Sequence, residues 1–236
     1  MPHAIYPHTL TMARPGSPSL GFITIPRGQS VSDCPKSAII ISPKTERIIC
    51  TREEDFRRWT WSEVKEAIRI NRIDLFQRTP TDLIRYVEFV HYLKKTFGSV
   101  LHFIQHERLH WPSVQPSGQA PFENPTDYKI LYNDWPYGID LDIVHLVVWT
   151  KFELEDDVTT NDLSQESRAL IDAFVQKTFC GKNGVSRDSL IWFKNWKSLK
   201  SVHALEHFHV MLYKPDQEFL RRITGGDVAI SEKLKS

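Results

Sequence analysis

The stretch SLIWFKNWKSLKSVHALEHFHVMLY at residues 189–213 decides the fold. It contains two strand-like segments, SLIWFKNW and EHFHVMLY, joined by a turn-like connection. In the second segment, large apolar side chains alternate with His207 and His209. Because successive side chains of a strand point to opposite faces, this alternation places both histidines on one face of a sheet and the aliphatic groups on the other.

Two more segments repeat this design. In IVHLVVWTK, the side chains of His145, Trp149 and Lys151 share one face. In SLIWFKNW, Trp192 and Lys194 are predicted to lie on the same side of the sheet as the histidines. We call this side the histidine face. It combines aromatic rings with cationic donors, which suits a ligand that carries a ring and a phosphate or carboxylate group.

Helix signals dominate the chain before the sheet. Thr60 and Glu63 have the spacing of a capping box, and Thr79 precedes Pro80 at the start of a helix that is expected to end at Gly98. After a proline-rich loop the apolar period becomes strand-like, and one later helix is expected to cross the aliphatic face. The sequence therefore predicts an α+β fold with an N-terminal helical layer, a mainly antiparallel sheet and a crossing helix.

Composition divides the chain into three parts. Residues 1–50 are rich in proline and are predicted to form an arm. Residues 51–224 are long enough for a single α+β domain with its own core. Residues 225–236 begin with two glycines and are predicted to form a polar C-terminal tail.

Charge and cysteine content narrow the class of protein. Lys and Arg number 30 and Asp and Glu 29, so the net charge is +1, which argues against a nucleic-acid or membrane-binding surface. No apolar run is long enough to cross a membrane, and the N-terminus lacks the apolar centre of a signal peptide. The three widely spaced cysteines are expected to be free thiols in the cytoplasm. The oligomeric state stays open.

We predict that the histidine face binds a small-molecule ligand, either phosphorylated or a sugar nucleotide, without a cofactor. The contacting residues are expected to come from the strands and from the turn NDWPYG, in which Gly138 permits a positive φ. They are Asn133, Asp134, Trp135, Tyr137, His145, Lys151, Trp192, Lys194 and Asn195. The alternative is that the N-terminal helices cover this face and that His145 and His207 are hydrogen-bonded core residues. The protein is then a non-enzymatic interaction or regulatory module.

Several long motifs resemble one known family. The motifs NDWPYG, HLVVWTK, WFKNW and ALEHFHVMLY, with the helical segment TWSEVKEAIRINRIDLFQRTPTDLIRY, resemble the fungal N-acetylglucosamine-induced proteins, whose shared domain has no assigned function. The resemblance covers about residues 56–222. It implies a soluble fungal protein linked to amino-sugar or cell-wall metabolism, and it supplies no catalytic residues.

The order of a turn, a strand, a helix and a histidine-bearing strand is also similar to the histidine-triad nucleotide-binding fold. That likeness implies that His209 is a nucleophile toward an α-phosphate and that His207 is its neighbour. The pattern departs in three ways: Met211 stands where a third histidine is expected, Trp196 replaces the glycine after Asn195, and the gap from Val202 to His207 is too long. These departures put catalysis in doubt more than ligand binding.

A third hypothesis comes from a single motif. The run His106-Glu107-Arg108-Leu109-His110 matches HExxH, in which two histidines one helical turn apart bind Zn²⁺ and the glutamate activates water. A zinc hydrolase is therefore a further alternative. Pro112 ends the helix soon after the motif, and no later motif supplies a third ligand. The opposing interpretation is a solvated helix end.

Overall fold

The computed structural model describes residues 43–157, 159, 162–181, 183–196 and 204–235. Most of the arm predicted for residues 1–50 therefore lies outside the described residues. The last part of that segment forms a short helix, α1 (Pro43–Ile49).

The next two helices begin where the sequence predicts. Thr60 and Thr79 each accept a hydrogen bond from a backbone N–H in the first turn of α2 (Trp61–Arg69) and α3 (Pro80–Phe97). α3 ends at Gly98, whose φ of 77° favours glycine. These helices begin the layer that later covers the sheet.

A π-helical turn interrupts the helix that follows α3. α4 (Val100–Phe103) continues into the turn Ile104–Arg108, which closes with a hydrogen bond of 2.9 Å from Leu109 N to Ile104 O. The HExxH hypothesis needs a regular helix as far as His110. In the structure the helical segment ends at Arg108, and His110 has a φ of 54°.

Four strands form one sheet in the order β1-β2-β4-β3, and every pairing is antiparallel. The strands are β1 (Tyr128–Tyr132), β2 (Ile143–Thr150), β3 (Leu190–Phe193) and β4 (Glu206–Tyr213). The remaining helices are α5 (Gln165–Phe179), α6 (Gln217–Thr224) and α7 (Ile230–Lys233). The predicted α+β class with a mainly antiparallel sheet is confirmed.

Among the described residues, the sheet has one core cluster on its aliphatic face and two on its histidine face. On the aliphatic face, Leu146 and Phe208 pack in one cluster with Ile171 of α5, as the sequence predicts for the crossing helix. On the histidine face, Val147 packs in a second cluster with Phe89 of α3. The N-terminal helices therefore do cover the histidine face.

Strand β3 has the opposite phase to the one predicted. Trp192 pairs with Val210 and Phe193 pairs with His209, so Phe193 and not Trp192 shares the histidine face. Trp192 instead lies in the aliphatic core, where its Nε1 donates a hydrogen bond of 2.7 Å to Asp172 of α5. The prediction was wrong here because it followed side-chain type, whereas the register of pairing with β4 sets the phase.

The proline-rich loop connects the two cores. Trp111 at its start lies in the cluster on the histidine face, and Phe122 stacks on Phe174 in the aliphatic core with ring centroids 4.1 Å apart. Asp127 at its end accepts hydrogen bonds from the backbone N–H and the hydroxyl of Ser117. The loop is therefore a packed connection between the layers.

The C-terminal segment packs against the domain, whereas a polar tail was predicted from residue 225. Ile230 is 3% exposed and packs in the cluster on the histidine face. Its backbone N–H donates to Asp134 Oδ1 at 3.0 Å, and Arg85 donates to the carbonyl of Ser231 at 2.8 Å. The domain's packing therefore continues beyond the boundary predicted at residue 224.

Two smaller expectations also change. Gly138 does not have a positive φ, but a Cβ there would meet the ring of Phe56, which would have to shift. Cys180 is a free thiol as expected, whereas Cys50 is joined in a disulfide. Among the described residues, no helix has both the length and the apolar character needed to cross a membrane.

Candidate functional site

A cavity of about 170 Å³ lies between the histidine face and the helical layer. Its floor is formed by strand residues, its opposite wall by α3 and the π-helical turn, and its end by the NDWPYG loop. The lining comprises Arg78, Tyr86, Phe89, Val90, Leu93, Val100, Ile104, Arg108, Leu131, Tyr132, Asn133, Asp134, Trp135, Tyr137, Val147, Trp149, Asn195, His207 and His209.

A chain of hydrogen bonds runs beneath the cavity. His145 Nε2 lies 3.0 Å from His209 Nδ1, and Asn195 Nδ2 lies 3.0 Å from His209 Nε2. The amide nitrogen of Asn133 approaches the His145 ring at 3.2 Å, while its Oδ1 accepts from Trp135 N at 3.0 Å. Both ring nitrogens of His209 are thus engaged by neighbouring side chains, which orients the ring.

Burial keeps this histidine pair uncharged. The low dielectric around His145 lowers its pKa to about 3, with a further contribution from the positive charge of Arg78. Burial also holds the pKa of His209 well below its ordinary value, and His145, His207 and Arg78 act in the same direction. The two imidazoles therefore act at neutral pH as hydrogen-bonding groups without charge.

His207 occupies a different environment on the same strand. Its Nδ1 donates a hydrogen bond of 2.9 Å to the carbonyl of Leu205, which fixes the tautomer, because a carbonyl can only accept. Its ring packs on the indole of Trp149 with centroids 4.5 Å apart. His207 and Trp149 together form a flat part of the cavity floor.

Arg78 supplies a positive charge to the cavity. Its Nε donates to the carbonyl of Trp135 at 3.0 Å, and its guanidinium carbon lies 4.1 Å from the ring centroid of Tyr86 and 5.7 Å from that of Tyr137. No carboxylate among the described residues forms an ion pair with Arg78. The rings hold the guanidinium in place and leave its charge without a counter-ion from this part of the chain.

The second arginine of the lining is fully occupied by ion pairs. Arg108 bonds Asp134 through Nε at 3.0 Å and Asp227 through both terminal nitrogens at 2.7 and 2.9 Å. Burial raises the pKa of Asp134 despite the neighbouring arginine. We call these three residues the arginine lock, since they tie the π-helical turn to the NDWPYG loop and the C-terminal segment.

The structure brings most of the predicted site residues together. Seven of them line the cavity, namely Asn133, Asp134, Trp135, Tyr137, Asn195, His207 and His209. His145 is outside the lining and lies behind it, within hydrogen-bonding distance of the lining residues His209 and Asn133. Ligand contact by these residues stays a prediction.

Three predicted site residues lie elsewhere. Trp192 is in the aliphatic core. Lys194 is buried between Asp156 and Glu206, at 2.9 and 3.2 Å from their carboxylates. Lys151 lies on the expected face but beyond the cavity, with its ammonium 5.3 Å from the ring centroid of Trp111. The cationic donors predicted from the strands are therefore replaced in the cavity by arginines from the helical layer.

Sequence reasoning missed Arg78 and the apolar wall from α3. The stripe of α3 was visible as helical periodicity, but which strands it would cover was not. Arg78 precedes the Thr79 cap and belongs to no catalytic or ligand-binding motif, so no local signal separates it from the other arginines. Only the contact of α3 with the histidine face reveals its position.

The HExxH match does not have the geometry of a zinc site. His110 follows the helix end with a φ of 54°, and its Nδ1 donates to the backbone carbonyl of His106. Within the described residues, no group of three or more metal-ligating side chains is close enough to hold an ion. The zinc-hydrolase alternative thus loses the helical pair on which it depended.

The fold and the cavity define an α+β protein in which a helical layer and a four-stranded antiparallel sheet enclose a small polar site. The chain belongs to the family described as "Protein of unknown function (DUF3605)", whose model matches residues 60–213. N-acetylglucosamine-induced protein 1 of Candida albicans is 31% identical over 187 residues, which cover 71% of this chain and 73% of the relative. The resemblance to the N-acetylglucosamine-induced proteins is therefore confirmed.

Two further proteins are similar to this chain. "Uncharacterized protein YPL067C" of Saccharomyces cerevisiae is 27% identical over 176 residues, which cover 73% of this chain and 87% of that protein. The structure titled "Crystal Structure of HTC1" matches with a TM-score of 0.54 and 26% identity, over 75% of this chain and 91% of that one. The likeness to the histidine-triad fold stays a prediction.

Proposed function

We propose that this protein binds a small phosphorylated ligand of the amino-sugar class in the cavity on the histidine face. The observation that carries the proposal is Arg78, a guanidinium in the cavity lining without a carboxylate partner among the described residues. A cation held by aromatic rings beside neutral hydrogen-bonding groups favours an anionic ligand. The neutral state of His145 and His209 also means that Arg78 is the main positive charge offered to it.

The size of the cavity limits what fits inside it. Pockets that hold drug-sized ligands have volumes of about 300–1,000 Å³. At about 170 Å³, the cavity suits a group on the scale of a monosaccharide. A sugar nucleotide can place only its sugar-phosphate end there, so we favour a sugar phosphate over a complete nucleotide.

The amino-sugar class is supported by the relatives. The protein from Candida albicans carries the name N-acetylglucosamine-induced protein 1, which links that relative to this sugar through its induction. We extend the link to this chain as part of the proposal. The polar end of the cavity, with Asn133, Tyr137 and Asn195, offers the hydrogen-bonding groups that a sugar requires.

Binding is favoured over covalent catalysis. A nucleophilic histidine needs a nitrogen lone pair directed at the ligand, whereas both ring nitrogens of His209 face neighbouring side chains. His207 donates through Nδ1 to the carbonyl of Leu205, which leaves its lone pair on Nε2, but the histidine predicted as the nucleophile is His209. We therefore propose that these histidines shape and support the binding site.

Isothermal titration calorimetry tests the proposal with N-acetylglucosamine 6-phosphate, glucosamine 6-phosphate, UDP-N-acetylglucosamine, unphosphorylated N-acetylglucosamine and inorganic phosphate. We expect the sugar phosphates to bind more tightly than the unphosphorylated sugar. Arg78→Met keeps the apolar stem and removes the charge, and it should weaken binding of the phosphorylated compounds by at least about tenfold. Arg69→Met is the matched control, because Arg69 is exposed and paired with Glu66 outside the lining.

Two results would overturn the proposal. If none of the phosphorylated compounds binds, the cavity is not a phosphate site, and a non-enzymatic interaction module becomes the better interpretation. If a sugar phosphate binds equally well to Arg78→Met and to the wild type, the ligand lies outside this cavity.

A further inference from the structure

We infer that His102 and His106 form a surface site for a divalent transition-metal ion, separate from the cavity. The two imidazoles lie one helical turn apart, with ring centroids separated by 4.5 Å and ring planes inclined by 44°. Both residues are exposed. The pair differs from the one in the HExxH motif, because His102 takes the place that the motif gives to His110.

The π-helical turn and the end of the helix explain this exchange of partners. The helix ends after Arg108, and His110 directs its Nδ1 to the carbonyl of His106, so its ring does not lie beside that of His106 as a ligand pair. His102 lies in α4, immediately before the turn, and its ring packs against the ring of His106. His106 is four positions after His102, which keeps the two histidines on one side of the helical segment.

The chemistry of the pair fits a metal ion. Neither imidazole forms a hydrogen bond or ion pair with another described side chain, so the ring nitrogens can turn toward a common ion. Two metal–nitrogen bonds of about 2.0–2.1 Å require nitrogens about 3 Å apart, a separation that rings at this distance reach by small rotations. Imidazole pairs favour Cu²⁺, Ni²⁺ and Zn²⁺ over Mg²⁺ and Ca²⁺, and water completes the coordination.

The position of the site gives it a structural consequence. Val100, Ile104 and Arg108 line the cavity from the same helical segment that carries the two histidines on its exposed side. An ion that joins His102 to His106 therefore bridges α4 and the π-helical turn. Metal binding should brace this part of the cavity wall without entering the cavity.

The test uses the full chain, purified without a histidine tag, and titrates Cu²⁺ and Zn²⁺ separately by calorimetry. We expect one site, with Cu²⁺ bound more tightly than Zn²⁺. His102→Ala and His106→Ala should each weaken binding at this site by at least about tenfold, because a chelate loses one of its two arms. The double variant His102→Ala/His106→Ala measures how much metal the other histidines bind.

Two control variants distinguish a site at His102 and His106 from a site at the HExxH motif. His110→Ala and Glu107→Gln should retain binding, whereas their loss of binding would show that the HExxH residues hold the ion. The inference is also overturned if the wild type and the double variant bind metal equally. Circular dichroism checks that each variant keeps the helix content of the wild type, as expected for alanine substitutions on an exposed surface.

Discussion

Phe193 stacks on His209, with ring centroids 4.8 Å apart and ring planes inclined by 13°. The stack fixes the plane of the imidazole, so that its nitrogens face His145 and Asn195. Phe193→Leu keeps an apolar side chain and removes the ring, and we expect the free energy of unfolding to fall by about 1 kcal/mol. Urea denaturation measures the change. Unaltered stability would contradict a role for the stack in holding the histidine.

The buried histidine pair predicts a loss of stability in acid. The folded-state pKa is about 3 for His145 and well below the ordinary value for His209, whereas both take up protons near pH 6.5 once unfolded. Below that pH the unfolded state binds more protons, so the free energy of unfolding decreases as the pH falls, by up to about 1.4 kcal/mol per pH unit for each histidine. Their contribution is constant above about pH 7.

Urea denaturation between pH 8 and pH 5 measures this dependence. The control is the double variant His145→Gln/His209→Gln, which should be less stable at pH 8 and should lose less stability on acidification than the wild type does. Equal slopes in the two proteins would show that other groups account for the acid sensitivity.

The arginine lock predicts strong coupling between distant parts of the chain. The side chains of Arg108 and Asp227 are 6% and 8% exposed, so Arg108→Met leaves buried carboxylates without their partner. We expect a loss of about 3–5 kcal/mol in the free energy of unfolding. Asp227→Asn in the Arg108→Met background should restore part of that loss, because it removes one of the stranded charges. Strictly additive effects in a double-mutant cycle would exclude the coupling.

Lys194 was predicted from the sequence to contact a ligand, but in the structure it forms buried ion pairs. Its ammonium lies between two carboxylates and also donates to the carbonyl of Leu154 at 2.7 Å. Lys194→Met should lower the free energy of unfolding by about 3 kcal/mol. Ligand affinity, measured by calorimetry at a temperature where the variant is folded, should stay within about twofold of the wild type, since Lys194 is outside the cavity lining. A larger loss of affinity would indicate that Lys194 contributes to ligand binding.

The alternation of side chains correctly predicted the histidine face of β2 and β4. Each of these strands has eight residues and a strict apolar repeat on one side, so the phase can be determined from the strand alone. β3 has four residues and bulky rings on both sides, and its phase depends on which residue pairs with His209. That pairing is a feature of the tertiary structure, and no local sequence pattern predicts it.

The burial of the C-terminal segment and the place of Arg78 in the cavity wall could not be predicted, for a related reason. Ile230 ends a short apolar run at 228–230 in an otherwise polar segment, and it is buried where Asp134 and Arg85 hold the backbone around it. Arg78 likewise acquires its role from two tyrosines that are distant from each other in sequence. Short-range periodicity predicts which face of an element is buried, but it does not predict which loop residues meet there.

The sheet order places β2 and β4 in the centre, and these strands carry all of the histidines beneath the cavity. Passage of the proposed ligand between them would break the hydrogen bonds of the central ladder, so we expect it to enter past Arg78 and Tyr86, lining residues that are partly exposed. An incoming anion then meets the guanidinium before it meets any other charge of the lining. The rate of association should therefore slow as the salt concentration rises, while departure of the ligand responds much less.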